Sequence, residues 1–224
     1  PSGNNFAVRT IPEVSGAFLA QDPHNGRILA MQGGFDSRIS PLNRTVQASR
    51  QPGSTVKPFV FATALDHGMT PATMVPDKQY CYYQGSRLGR KCFTNFGGSA
   101  GGGEYPMRFG LEQARNLVTV HIAMEAGMPN VIKTFENLNI GSYEPYPAFA
   151  LGAGNTTVEK IVAGYSALVN HGRLNTPSVI DYVQDRQGKV IWRADKRSCS
   201  ACNMDDWDGK AMPRFKPRGK QVMD

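Results

Sequence analysis

The spacing of apolar residues changes period twice along the chain, and this limits the fold more than any single residue does. Residues 14–32 read Val-Ser-Gly-Ala-Phe-Leu-Ala-Gln, then Asp22-Pro23-His24-Asn25-Gly26, then Arg-Ile-Leu-Ala-Met-Gln. Two apolar runs around a Pro and Asn-Gly turn predict a β-hairpin. Residues 178–193 repeat the pattern, with Val-Ile-Asp-Tyr-Val-Gln-Asp and Lys-Val-Ile-Trp-Arg flanking Arg186-Gln187-Gly188. Between the hairpins the period becomes helical. Val56, Phe59, Val60, Thr63 and Ala64 recur at three- and four-residue spacings and stop at Gly68, which predicts a helix over 54–67. Further helices are predicted over 107–113, 117–126, 130–138 and 156–171, the last opening on Thr156-Thr157-Val-Glu and closing at Gly172. Residues 80–104, rich in Gly, Tyr and Ser, read as an exposed loop. Strands, a block of helices and strands again imply an α+β domain, an antiparallel sheet packed against a helical cluster.

With 224 residues, 40% of them hydrophobic, the chain is large enough for a substantial core and too apolar for a disordered one. The net charge of +7 is spread over scattered Lys and Arg, without basic-aromatic blocks, so nucleic acid is not an expected partner. The longest apolar stretch, 59–65, is far short of the roughly 20 residues that cross a membrane. The sequence begins at Pro1 and ends at Asp224 without a helix cap or polar tail, and reads as part of a longer protein, with 1–13 as a linker ahead of a domain over 14–224. Four cysteines form two local pairs, Cys81 with Cys92 and Cys199 with Cys202, although three connectivities are open. Structural disulfides in an oxidising compartment are one reading, and a zinc site at Cys199-Ser-Ala-Cys202 is the competitor. Zinc needs a second ligand pair of similar spacing, which Cys81 and Cys92 do not supply.

Chemistry is concentrated at Ser54-Thr55-Val56-Lys57. A Ser-x-x-Lys spacing alone is weak, so its context carries the argument. Pro52 and Gly53 place Ser54 where a tight turn enters a helix, with its hydroxyl free to face a cleft. Residues three apart share a helix face, which brings the Lys57 amine toward the Ser54 oxygen. The helix dipole and partial burial both disfavour the ammonium, and a lysine that is neutral part of the time acts as a base. The Ser54 backbone N–H is available to an oxyanion. The alternative is that Ser54 caps the helix and Lys57 is a solvated first-turn residue.

These residues resemble the D,D-transpeptidase domain of the class A penicillin-binding proteins. The likeness runs through Asp22-Pro-His-Asn-Gly-Arg-Ile-Leu-Ala-Met-Gln-Gly-Gly, Asn43-Arg44, and Gln47-Ala-Ser-Arg-Gln-Pro-Gly-Ser-Thr-Val-Lys-Pro-Phe. It continues in Leu111-Glu-Gln-Ala-Arg-Asn-Leu-Val-Thr-Val, Leu151-Gly-Ala-Gly and Ala163-Gly-Tyr-Ser-Ala-Leu-Val-Asn-His-Gly-Arg. The resemblance implies a penicillin-binding-protein and serine β-lactamase-like fold whose C-terminal part is missing. It makes Ser54 the acylated nucleophile, Lys57 its proton acceptor, and Asn116 the asparagine of a Ser-x-Asn motif that contacts substrate and helps hold the lysine. Taken alone, Asn116 also reads as a helix cap before Leu117. Peptidoglycan stem peptides, β-lactam antibiotics and cell-wall synthesis proteins are the implied partners. No cofactor or metal is implied. The parent would be anchored in the bacterial inner membrane and face the periplasm.

Two departures bear on activity. The serine of Ser-x-Asn is replaced by Ala114, which has no hydroxyl to relay a proton or to bond Lys57, and the Lys-Thr-Gly motif occurs nowhere in the chain. A peptidoglycan transpeptidase domain, inactive as this fragment alone, is the expectation. A non-catalytic penicillin-binding scaffold, and a serine β-lactamase or β-lactam sensor, are the alternatives.

Overall fold

A computed structural model describes residues 10–196, 209 and 218–224. Both predicted hairpins form. β1 (Phe18–Gln21) pairs antiparallel with β2 (Ile28–Gln32) across a turn in which the Asp22 carboxylate accepts from the His24 amide and the Asn25 side chain.

The helical block follows. A 3-10 turn, Gly53–Val56, runs directly into α1 (Lys57–Asp66), so the predicted single helix over 54–67 is two joined pieces. β3 (Met74–Lys78) comes next. The segment 80–104, expected as an exposed loop, instead holds β4 (Cys81–Tyr83), β5 (Arg90–Cys92) and most of β6 (Gly101–Pro106). β4 pairs with β5 and β6 with β3, both antiparallel. Its order has two causes: Cys81 and Cys92 face each other in the β4–β5 register and are joined by a disulfide, and Phe93 is buried with Tyr80 and Tyr82 against Leu117 and Val120. The disulfide also removes these two cysteines as thiolate zinc ligands. Cys199 and Cys202 lie outside the described residues.

The chain continues with α2 (Met107–Glu112), α3 (Asn116–Ala126), α4 (Met128–Asn137) and, after a 3-10 turn at Pro147–Leu151, α5 (Val158–Val169). α3 is apolar on nearly every face because it is the central helix, packed against α1, α2, α4, β3 and the 147–151 turn. α4 is amphipathic: Val131, Ile132 and Phe135 enter the core, while Lys133 and Glu136 pair at the surface. The Thr157 hydroxyl caps α5 by accepting from the Lys160 amide, one residue after the Thr156 at which the sequence opens the helix. α5 also packs on β1, which couples the first hairpin to the helices.

β7 (Arg173–Leu174) follows α5, and β8 (Tyr182–Gln184) and β9 (Val190–Arg193) form the second hairpin. β10 (Lys220–Gln221) pairs with β7, and Val222 and Met223 pack against the core. Strand pairing among the described residues is therefore antiparallel and split into five two-stranded units around the helices, an α+β architecture. No helix among the described residues is long and apolar enough to cross a membrane.

The disulfide closes a loop with a sequence separation of 11. Replacing both Cys81 and Cys92 by alanine should lower stability by about 2–3 kcal/mol through the freed unfolded chain, read as a drop in the denaturant midpoint.

Candidate active site

Main-chain contacts hold the turn that carries Ser54 from several sides. Arg50 exchanges both backbone hydrogen bonds with Thr156, at 2.8 and 2.9 Å, and the Gly53 amide donates to Gly152 O at 3.3 Å. The Gln51 side chain donates to Ala153 O and the Tyr165 hydroxyl to Thr55 O. Gly152, at φ +78°, passes so close that a Cβ there would collide with the backbone of Gly53. Inside the 3-10 turn, residues i and i+3 eclipse, which aligns Ser54 with Lys57 more closely than an α-helix would.

Ser54 is exposed, and neither its hydroxyl nor its backbone N–H is bonded among the described residues. Lys57 is the opposite. It is 2% exposed, which overturns the solvated first-turn alternative. Its amine donates to Asn116 Oδ1 at 2.7 Å and to Ala114 O at 2.5 Å. Burial lowers its pKa from the ordinary lysine value to about 8.

Asn116 does not serve as the cap of α3, a position taken by Arg115. Its side chain bridges instead, accepting from Lys57 and donating to Thr94 O at 3.1 Å. Ala114 lies in the left-handed region at φ 49° and turns its carbonyl onto Lys57. Ala114, which has no hydroxyl, thus contacts the lysine through its main chain. The structure joins Lys57 to Asn116 and places Ser54 one 3-10 turn away, without a bond between the Ser54 hydroxyl and the amine.

Sequence reasoning missed the support behind this segment. Asn95 donates to Asp77 Oδ1 at 2.8 Å and accepts from the Leu117 amide at 3.2 Å, and Arg115 Nε lies 3.6 Å from Asp77 Oδ2. Asp77 lies two residues after Val75 on β3, so strand alternation puts both on the buried face, and the β3–β6 register shifts between Pro76 and Lys78. No local pattern marks a strand aspartate as buried, and the three residues share no spacing rule.

The buried lysine sets a pH dependence. An unfolded Lys57 holds its proton up to about pH 10.4 while the folded one releases it near 8, so between these values the unfolded state binds more protons. Lys57 therefore makes stability rise with pH across about 8 to 10.4, and its cost is full below 8. Chemical denaturation of wild type and Lys57→Met over this range should show a difference that grows with pH in favour of wild type. NMR titration of the Lys57 Cε should give a midpoint near 8.

Comparison with known proteins places the chain in a family. The model of the penicillin binding protein transpeptidase domain matches residues 16–206. Penicillin-binding protein 1A of Rickettsia prowazekii is 37% identical over 210 residues, covering 93% of this chain and 26% of that protein. Penicillin-binding protein 1A of Neisseria flavescens is 34% identical over 192 residues, 84% of this chain and 24% of its own length. The chain thus spans about a quarter of the length of these relatives. Among solved structures, penicillin-binding protein 1A from Haemophilus influenzae superposes with a TM-score of 0.76 at 29% identity, covering 83% of this chain and 28% of that one. PonA1 from Mycobacterium tuberculosis, solved in complex with penicillin V, shares the fold with a TM-score of 0.69 at 22% identity, over 81% of this chain and 50% of that one. With its α+β architecture and a family match over most of its length, the chain belongs to the penicillin-binding protein transpeptidase domain family.

Proposed function

We propose that the protein to which this chain belongs is a peptidoglycan D,D-transpeptidase, with Ser54 as nucleophile, Lys57 as its base and Asn116 as the residue that orients the lysine and contacts the substrate peptide. One observation carries the reading: a lysine buried at 2% exposure, with Asn116 and Ala114 as acceptors, stands one turn from an exposed serine. A neutral amine has two N–H groups and one lone pair. The two acceptors match the two N–H groups and leave the lone pair for the Ser54 proton.

In the reaction Ser54 Oγ attacks the carbonyl before a terminal D-alanine and its proton passes to Lys57. The Ser54 N–H, which has no hydrogen-bond partner among the described residues, donates to the developing oxyanion. The C–N bond breaks, D-alanine leaves with a proton as its amine forms, and an amine of a neighbouring stem peptide then attacks the ester and frees Ser54. β-Lactams enter the same first step, and the penicillin V complex of PonA1 supports that expectation. A parent anchored in the inner membrane, with this domain in the periplasm among cell-wall synthesis proteins, agrees with the Cys81–Cys92 disulfide. Residues 14–224 form part of the domain and 1–13 lead into it. Neither a metal nor a cofactor takes part. Lys-Thr-Gly is absent from the chain, so the fragment alone is expected to be inactive and the test belongs to the complete protein.

Incubation of the complete protein with a fluorescent penicillin, followed by peptide mass mapping, should place a long-lived label on Ser54. Ser54→Ala should remove it, and Lys57→Met should slow labelling by about a hundredfold or more. Ala114→Ser should speed it by about tenfold or more, because the hydroxyl supplies the missing relay. Absence of label even after slow incubation would leave a binding scaffold as the reading. Rapid release of hydrolysed antibiotic would make the protein a β-lactamase.

A further inference from the structure

We propose that Asp77 is a positioning residue for the lysine centre, acting through Asn95 and Arg115 to fix residues 114–116. The inference deepens the reading of Ser54, Lys57 and Asn116 given above and rests on it for its functional weight. Both acceptors of the Lys57 amine, Ala114 O and Asn116 Oδ1, lie in three consecutive residues joining α2 to α3. Ala114 is held in the left-handed region at φ 49°, which a residue with a Cβ keeps only when its surroundings enforce it. Backbone bonds at the end of α2 set that conformation, with the Ala114 amide donating to Leu111 O at 3.0 Å and the Arg115 amide to Gly110 O at 2.9 Å. Side-chain contacts from outside the two helices then hold the residues that follow.

They converge on one carboxylate. The Asp77 side chain is 1% exposed, and such burial of a charge is strongly unfavourable unless it is paired. Oδ1 accepts from the Asn95 side chain at 2.8 Å, and Asn95 in turn accepts the Leu117 amide at 3.2 Å, tying down the first turn of α3. Oδ2 has no hydrogen bond among the described residues and is faced by Arg115 Nε at 3.6 Å, so attraction between opposite charges is what holds it. Arg115 is the residue between the two acceptors. Its guanidinium lies 5.8 Å from the centre of the Tyr105 ring, and its carbonyl accepts from the Thr119 amide at 3.1 Å and hydroxyl at 2.7 Å. Asn95 also fixes the neighbouring Thr94, whose carbonyl holds the Asn116 amide nitrogen at 3.1 Å. Removing the charge of Asp77 therefore loosens Arg115 and Asn95 together, and through them both groups that orient the lysine.

Gly101 supports the same arrangement. It has φ +76°, pairs with Lys78, and approaches the Asp77 carbonyl too closely to admit a Cβ. β6 therefore closes over the backbone of Asp77, leaving its side chain directed at Asn95 and Arg115.

The test uses the complete protein, with Asp77→Asn, which keeps the shape and removes the charge, and Arg115→Met, which removes the partner at a side chain 32% exposed. Reductive methylation with mass mapping reads the accessibility of Lys57 without requiring activity. Lys57 should be modified several-fold faster in either variant, while exposed Lys133 is unchanged. Fluorescent penicillin then separates affinity from the acylation rate. The rate constant should fall by about tenfold or more with non-covalent affinity retained, since small displacements of a reacting group are costly. In an Asn116→Ala background either substitution should slow acylation by a smaller factor, because only the path through the Ala114 carbonyl remains. Unchanged Lys57 methylation in a folded variant, or equal losses with and without Asn116, would overturn the proposal. If Asp77→Asn does not fold, Arg115→Met carries the same readings. If wild type takes no label at all, the nucleophile reading falls, and Lys57 methylation alone still decides the role of Asp77.

Discussion

The burial of the Lys57 amine is the constraint around which this domain is organised. A cation removed from water is strongly disfavoured unless it is solvated by protein groups or gives up its proton, and both compensations are present. Two acceptors 57 and 59 residues away in sequence face the amine, so α1 and the α2–α3 junction must meet at one point. The core then follows. Phe59, Val60 and Ala64 of α1 pack with Val118 and Ile122 of α3, and α4 and α5 close the remaining sides.

The hydrophobic and polar contacts divide the work. Apolar burial, worth roughly 1.5–3 kcal/mol for each fully buried large side chain, sets which helices associate. It is nondirectional and does not decide where a carbonyl points. Direction comes from the Asp77, Asn95 and Arg115 contacts and from the main-chain bonds of residues 50–55 with 152–156.

Much of this was legible in the sequence, and what was not has a physical cause. The hairpins, the start of α5 to within two residues and the one-turn separation of Ser54 from Lys57 are local matters of period and turn chemistry, which short windows report well. Residues 80–104 read as loop because Gly, Tyr and Ser have no clear period there. Their order comes from the Cys81–Cys92 bond and from Phe93 seated under α3, contacts that composition does not encode. Asn116 shows the same limit. Its residue type suits a helix start, yet its role depends on a lysine 59 positions earlier. The helix over 54–67 is borne out as an α-helix from Lys57 to Asp66, while its first turn is 3-10 and Ser54 lies inside that turn.

The close passage of Gly152 against Gly53 has an evolutionary consequence. Because the turn bearing Ser54 is held mainly by backbone against backbone, with Gln51 and Tyr165 adding one side-chain bond each, its position depends little on the identities of its other neighbours. Residues lining the surrounding surface are free to drift toward new ligands without moving the serine. Gly152 is not, since a single added methyl there would displace the turn itself. Such a domain can diversify what it recognises while the geometry at its reactive oxygen stays the same.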